Sequence, residues 1–233
     1  MRMELFKIND FTECNILERK NRFVVIVDIN GRISEVHINN TGRLKGLLIR
    51  GKRGFCYKIN GKKLKNRLFS VVFNNTGIII DTSIHMKAFE KIVEKGLLKE
   101  FKGYNLKRNH RKGSSVFDFL IYKDNKKIIV ELKSAVLENG QFASYPDAPT
   151  RRGERHFEEL ISLKRRGENT MIVFASSVYK TKGFKPNSKI SPRIDSLLKI
   201  ALKEGVILKS FNVLFEPSEG RVFLDKLNLP VLI

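Results

Sequence analysis

Along residues 1–81, apolar positions come in short runs of strand length, each closed by turn residues. Arg22–Ile29 and Ile33–Ile38 flank Asn30-Gly31, a dipeptide that supplies the positive φ angles of a type I′ turn and so predicts a β-hairpin. A second pair, around Gly54–Ile59 and Lys65–Phe73, flanks Asn60-Gly61. Together they predict a small antiparallel, OB-like β-barrel. Asn-Asn-Thr-Gly occurs at 39–42 and again at 74–77 with nothing similar around it, which reads as turn chemistry and not as an internal repeat. From Thr82 the period changes. Ser83–Glu100 places Phe89, Ile92, Val93 and Gly96 on one stripe and predicts an amphipathic helix. Thr150–Arg166, with Phe157, Leu160 and Ile161 inward, predicts a second helix, and Pro192–Glu204 a third. Thr170–Ser176 and Gly205–Leu214 read as strands, while Gln141–Pro149 and Ser176–Ser191 read as loops. Helices alternating with strands indicate an α/β unit. The expected organisation is therefore mixed α/β, a barrel over 1–81 followed by an α/β domain over 82–233.

One hairpin in the second part concentrates the chemistry. Phe117–Tyr122 is apolar and β-prone, Lys123–Lys126 is turn-like, and Ile128–Leu132 is rich in β-branched residues. A two-residue turn at Asp124-Asn125 pairs Lys123 with Lys126 and, counting back, Asp118 with Glu131. Cross-strand carboxylates stand roughly 4.5–5.5 Å apart at Cβ and repel unless a cation compensates them. Lys133 lies two residues beyond Glu131 and shares its face. Phe117, Phe119 and Ile121 then oppose Leu132, Val130 and Ile128, so one face should build a core and the other carry the acids. A solvated hairpin with a surface ion pair is the plainer alternative.

Charge widens the picture. The 233 residues carry 45 Lys+Arg against 24 Asp+Glu, a formal net charge of +21. The excess is not an appended tail, because 16 basic residues face 7 acidic ones up to residue 81, and 29 face 17 after it. So basic a chain points to a polyanionic partner. Clusters fall at Lys62-Lys63-Lys65-Arg67, Lys107–Lys112, Arg151-Arg152-Arg155 and Lys164–Arg166, although any one of them could be a solvated face. No apolar run reaches the roughly 18 residues of a membrane span. Glu4, Asp10 and Glu13 leave no apolar signal segment, and a cytoplasmic location without membrane partners is expected. Cys14 and Cys56 lack metal-ligand spacing and read as reduced, partly buried thiols.

Asp118 followed by Glu131-Leu132-Lys133 on the next strand resembles the PD-(D/E)XK nuclease signature, with Phe117 where that pattern often has proline. Several segments together resemble the sugar fermentation stimulation protein family, SfsA. They are Arg19–Phe23, His37–Arg43, Asp118–Leu120, Val130–Ser134 and above all Tyr145–His156 with its Pro-Asp-Ala-Pro-Thr block. The resemblance covers roughly residues 10–215. It implies an OB-like N-terminal barrel, a PD-(D/E)XK nuclease-like C-terminal domain, and DNA binding linked in bacteria to sugar-utilisation genes. Three positions depart from the pattern: Asn39 replaces a proline, Val116 an arginine and Ser191 an aspartate. The second removes a charge beside the acids, so a phosphate contact implied there drops out.

In the nuclease reading Asp118 and Glu131, with the Leu132 carbonyl, hold Mg²⁺ or Mn²⁺, and Lys133 orients water or neutralises developing charge. Glu90, on the preceding helix, is a candidate third carboxylate; a solvated acid paired near Lys87 or Lys91 is the alternative. Arg43, Lys63, Lys65, Arg67, Arg151, Arg152, Arg155 and His156 are the candidate nucleic-acid contacts. His156 reads equally well as a core or capping histidine, and Asp147 as an ordering residue of its loop. The expected function is DNA binding with a metal-dependent phosphodiesterase site. A non-catalytic regulator of sugar metabolism on a relic nuclease fold is one alternative. Another is an RNA-binding OB module stacking bases on aromatics. Phe55, Tyr57 and Phe69 lie on the barrel strands, but their period-two spacing suits a core. DNA is favoured over RNA as partner, and oligomeric state is not legible.

Overall fold

The computed structural model of the chain describes residues 3–113 and 115–233. The first seven strands are β1 (Met3–Lys7), β2 (Phe11–Arg19), β3 (Val24–Ile29), β4 (Arg32–His37), β5 (Arg53–Lys58), β6 (Asn66–Phe73) and β7 (Thr76–Ile79). The β3–β4 hairpin turns on Asn30 and Gly31, both at positive φ (53° and 79°), as the dipeptide predicts. Strands β4-β3-β2-β5-β6 pair in that order, and a parallel bridge from His37 to Arg67 joins β4 back to β6. The result is a five-stranded barrel with OB connectivity. Its interior is filled by alternate residues, among them Ile16, Val25, Val27, Val36, Ile38 and Leu68. Cys14 and Cys56 sit inside it as free thiols with their sulfurs 3.5 Å apart.

The remaining elements are α1 (Thr82–Glu94), β8 (Asn105–Lys112), β9 (Ser115–Lys123), β10 (Lys126–Ala135), β11 (Leu137–Asn139), β12 (Phe142–Tyr145), α2 (Arg151–Arg165), β13 (Asn169–Ser176), β14 (Phe184–Pro186), α3 (Pro192–Lys203), β15 (Ile207–Glu216) and β16 (Arg221–Lys226). Strands β10, β13 and β15 run parallel, and β9 and β8 complete that edge antiparallel. Phe89 and Val93 of α1 belong to the core on one face of this sheet, and Phe157 of α2 with Leu198 of α3 to the core on the other. This is the mixed, PD-(D/E)XK-like α/β arrangement expected for the second part. Burial from both sides explains why Ile128–Leu132 reads as an unbroken apolar run apart from Glu131.

Several expected boundaries shift for local reasons. Helix α1 stops at Glu94, not Glu100, because Gly96 adopts φ +61° and closes the helix in the left-handed region. The expected loops at 141–149 and 176–191 contain β12 and β14, which with β11 form a separate three-stranded sheet. Strand β8 carries no apolar alternation; it forms because β9 offers it a ladder, and its Lys and Arg residues discourage further pairing at the sheet edge.

The two parts share their largest core. Strand β1 pairs with β16, and Gly77 of β7 opposes Phe215 of β15, so one sheet of 13 strands runs through both. A Cβ at Gly77 would lie 2.8 Å from the Phe215 side chain and 2.5 Å from Ser70 Oγ, which reserves the position for glycine. Phe55 and Phe69 point out of the barrel and meet Phe11 and Phe215, with ring centroids 5.0–6.4 Å apart. Fully buried Asp81 ties the junction. It caps α1 by accepting from Ser83 N, and it also accepts from Asn39 Nδ2 at 2.7 Å and from the Tyr57 hydroxyl at 2.5 Å, with Arg67 Nη1 3.6 Å away. The first Asn-Asn-Thr-Gly segment is thus a latch onto α1, while the second makes the β6–β7 turn on Asn74 and Asn75 at positive φ.

Candidate active site at the barrel junction

The β9–β10 ladder has the register expected from the turn, Lys126 opposite Lys123 through Val130 opposite Phe119. There the ladder ends, because the Asp118 carboxylate itself accepts from Leu132 N, at 2.8 Å. Asp118 thereby sits next to Glu131 at a point where the strands part. The parting also corrects one expectation: Phe117 does not share the core of Phe119 and Ile121 but packs on the opposite side, edge-on to His156 at 5.9 Å. At this end Asp118 enters a recess between two cores, while Glu131 is buried beside it and does not line that recess.

Glu131 and Lys133 do share a face. The side chain of Glu131 is 2% exposed, and its Oε1 accepts from both Lys133 Nζ and His156 Nδ1, the latter at 2.5 Å. Its Oε2 is buried with no hydrogen-bond partner among the described residues. Burial pushes the Glu131 carboxyl up, but Lys133 and His156 outweigh it and hold the group below its ordinary range. Burial likewise opposes the charge of Lys133, and Glu131, Tyr145 and Asp118 overcome it, so the ammonium persists. Asp118 goes the other way: burial, then the Glu131 charge, push it up to about 6 against the pull of Lys133 and the Leu132 N–H. Two adjacent carboxyls with values driven apart are a signature of functional sites.

Asp118, Leu132, Lys133 and Ser134 line a cavity of about 310 Å³, closed by Asn39–Gly42 from the barrel and by Tyr145–Gly153. The Pro-Asp-Ala-Pro block makes that wall. Asp147 accepts from Leu44 N at 2.5 Å and fastens the block to the barrel, the ordering role foreseen for it. Thr150 caps α2 by accepting from Gly153 N at 3.0 Å, and Gly153 is needed because a Cβ there would meet the Tyr145 hydroxyl at 2.4 Å. Ser191, where the resemblance leads one to expect aspartate, caps α3 equally well by accepting from Ile194 N and donates to Glu154 at 2.9 Å.

The other expected residues divide. Glu90 does not line the cavity; its carboxylate is held by Arg108 of β8 and is not free to act as a third ligand. His156 is a core histidine behind Glu131, too deep to meet a phosphate. Arg67 is directed inward, donating to His37 Nδ1 at 3.0 Å and Tyr57 at 3.3 Å, so it serves the junction instead of a ligand. Arg43, Lys63, Lys65, Arg151 and Arg155 are exposed, and Arg155 faces Glu159 at 3.8 Å. Arg152 is exposed and lines the cavity. Sequence reasoning passed over Arg22, which lines the opposite side, and His85, whose Nδ1 lies 2.8 Å from Ser134 Oγ. Arg22 falls inside a segment that carried the family resemblance; nothing local marks His85.

Residues 17–80 match the model of the SfsA N-terminal OB domain, and residues 83–219 that of the sugar fermentation stimulation protein RE domain. The sugar fermentation stimulation protein homolog of Pyrococcus furiosus is 40% identical over 230 residues, 98% of this chain and 100% of that one. Its Archaeoglobus fulgidus counterpart is 37% identical over 231 residues, 99% of this chain and 100% of that one. The solved structure of Pyrococcus furiosus SfsA in complex with Ca²⁺ superposes with a TM-score of 0.95 at 41% identity, covering 99% of this chain and 100% of that one. The chain belongs to the sugar fermentation stimulation protein family.

Proposed function

We propose that the chain binds nucleic acid, DNA before RNA, and hydrolyses its phosphodiester backbone at a divalent-cation site made by Asp118, Glu131 and the Leu132 carbonyl. The observation that carries this is Glu131: a carboxylate kept ionised deep in the fold by Lys133 and His156, with Oε2 left without a partner beside a second carboxyl whose ionisation is resisted. A hard cation supplies what both lack, and it takes carboxylate and carbonyl oxygens together with water and phosphate oxygens. That a relative with 41% identity was solved with Ca²⁺ supports a cation of this class, Mg²⁺ or Mn²⁺ being the candidates for catalysis. Such an ion polarises a phosphate and acidifies bound water. The chain's own residues do the rest. His156 fixes the Glu131 rotamer, the Leu132 N–H fixes Asp118, and Lys133, charged and recessed, faces the charge that develops on the phosphoryl oxygens.

A second reading has its own support: Glu131 is buried, does not line the cavity, and already spends its Oε1 on Lys133 and His156. On that reading the site is a relic in a non-catalytic DNA-binding regulator of sugar metabolism. Incubating the protein with single- and double-stranded DNA and RNA, in Mg²⁺, Mn²⁺ or EDTA, separates the two. Cleavage that needs metal and is lost in Asp118→Asn supports the enzyme; binding with no cleavage under any condition leaves the regulator.

A further inference from the structure

The barrel aromatics a nucleic-acid module would use for stacking are spent on the shared core, since Phe55 and Phe69 are buried against Phe11 and Phe215. Phe23 is not buried. This ring, in the turn just before β3, is 51% exposed and has no ring or cation partner among the described residues. Its backbone is held on both sides, Phe23 N donating to Asn21 Oδ1 at 2.8 Å and its carbonyl accepting from Ile38 N at 2.9 Å. Arg19 clamps the same turn, donating to the carbonyls of Asn21, Arg22 and Gly42. Phe23 therefore sits on a fixed turn between Arg22 and the Ile38–Asn39 junction, and both Arg22 and Asn39 line the cavity over Asp118 and Lys133. Arg22 and, across the cavity, Arg152 have no side-chain hydrogen bond or ion pair among the described residues, in a molecule whose other arginines commonly do.

We propose that the strand entering this cavity is unpaired, with Phe23 stacked on the base next to the phosphate that reaches Asp118 and Lys133, and Arg22 and Arg152 on the flanking phosphates; this rests on the cavity being a nucleic-acid site. An exposed ring beside free cations is the pairing that single-strand sites use, since every base offers a π-face and the groove tracks the backbone. The recess gives the second reason. Its volume of about 310 Å³ is at the small end of ligand pockets, and the barrel loop at 39–42 and the proline block wall it in. So confined a recess, walled on two sides, suits the backbone of one strand better than that of a duplex with its partner strand attached.

The test is fluorescence anisotropy in EDTA with a labelled mixed-sequence DNA oligonucleotide, single-stranded or annealed to its complement. The wild-type protein is expected to bind the single strand more tightly. Phe23→Ala should weaken single-strand binding by about 5- to 150-fold, the range of one base stack, while changing duplex binding by less than about twofold. Phe23→Tyr should retain wild-type affinity, and melting temperatures matching the wild type exclude misfolding of so exposed a site. Tighter duplex binding, or a Phe23→Ala variant that binds the single strand as the wild type does, overturns the proposal while leaving phosphodiester chemistry intact. Binding of neither form by the wild type overturns the nucleic-acid reading itself.

Discussion

Asp118→Asn should make the metal-free protein more stable at pH 7.5, although it removes a residue central to the site. The wild-type carboxyl has a folded value near 6 against 3.8 ordinarily, raised chiefly by burial and then by Glu131. A group raised in the folded state contributes stability that is fully present below its ordinary value and lost as pH climbs through the folded one. Above about pH 7 the full difference applies, so ionised Asp118 destabilises the fold by about 3 kcal/mol. Asparagine removes the charge and keeps an oxygen to accept from Leu132 N, so its gain approaches that figure, a rise in melting temperature on the order of 6–12 °C. At pH 4 the wild-type carboxyl is largely protonated in the fold, and the gain should shrink to roughly 0.5 kcal/mol. Thermal melts of both proteins in EDTA between pH 4 and 8 measure this. Ca²⁺ or Mg²⁺ at pH 7.5 should then raise the melting temperature of the wild type and not of the variant. A variant less stable than wild type at pH 7.5, or a gain that ignores pH, would refute the electrostatic account of the recess.

Lys133→Met should destabilise the fold by about 3–5 kcal/mol, since it strands the Glu131 charge with His156 alone, and should enlarge the stabilisation by Ca²⁺; calorimetry with and without the ion reads both. A fragment of residues 1–81 should fail to fold as a monomer, because it exposes Phe11, Phe55 and Phe69 and leaves β7 unpaired on one side; a cooperative melt from a monomeric fragment would contradict this. Replacing Arg151, Arg152 and Arg155 by alanine together should weaken binding to all sequences alike and flatten the salt dependence of log K by about 2 if all three meet phosphate, which a salt titration reports.

Local chemistry fixed a good part of this protein. Asn30-Gly31 sets its hairpin because both residues tolerate positive φ, and the Asp124-Asn125 turn sets the register that brings Asp118 beside Glu131. The change of period at Thr82 marks where helix α1 begins, and Thr150 and Pro192 mark the starts of the other two helices. These are interactions within a few residues, so they are written where they act. What tertiary structure decided involves partners far apart in the chain. Strand β8 has no pattern of its own and exists through its ladder with β9; Phe55 and Phe69 look like barrel residues, yet their contacts with Phe215 place them in the core the two parts share. Glu90 and Arg67 read as candidates for a ligand until Arg108 and Asp81 meet them, and His156 as either a phosphate contact or a core histidine until it is found behind Glu131. A charge or a ring acquires its role from what opposes it in space, and only the assembled fold supplies the opposing group.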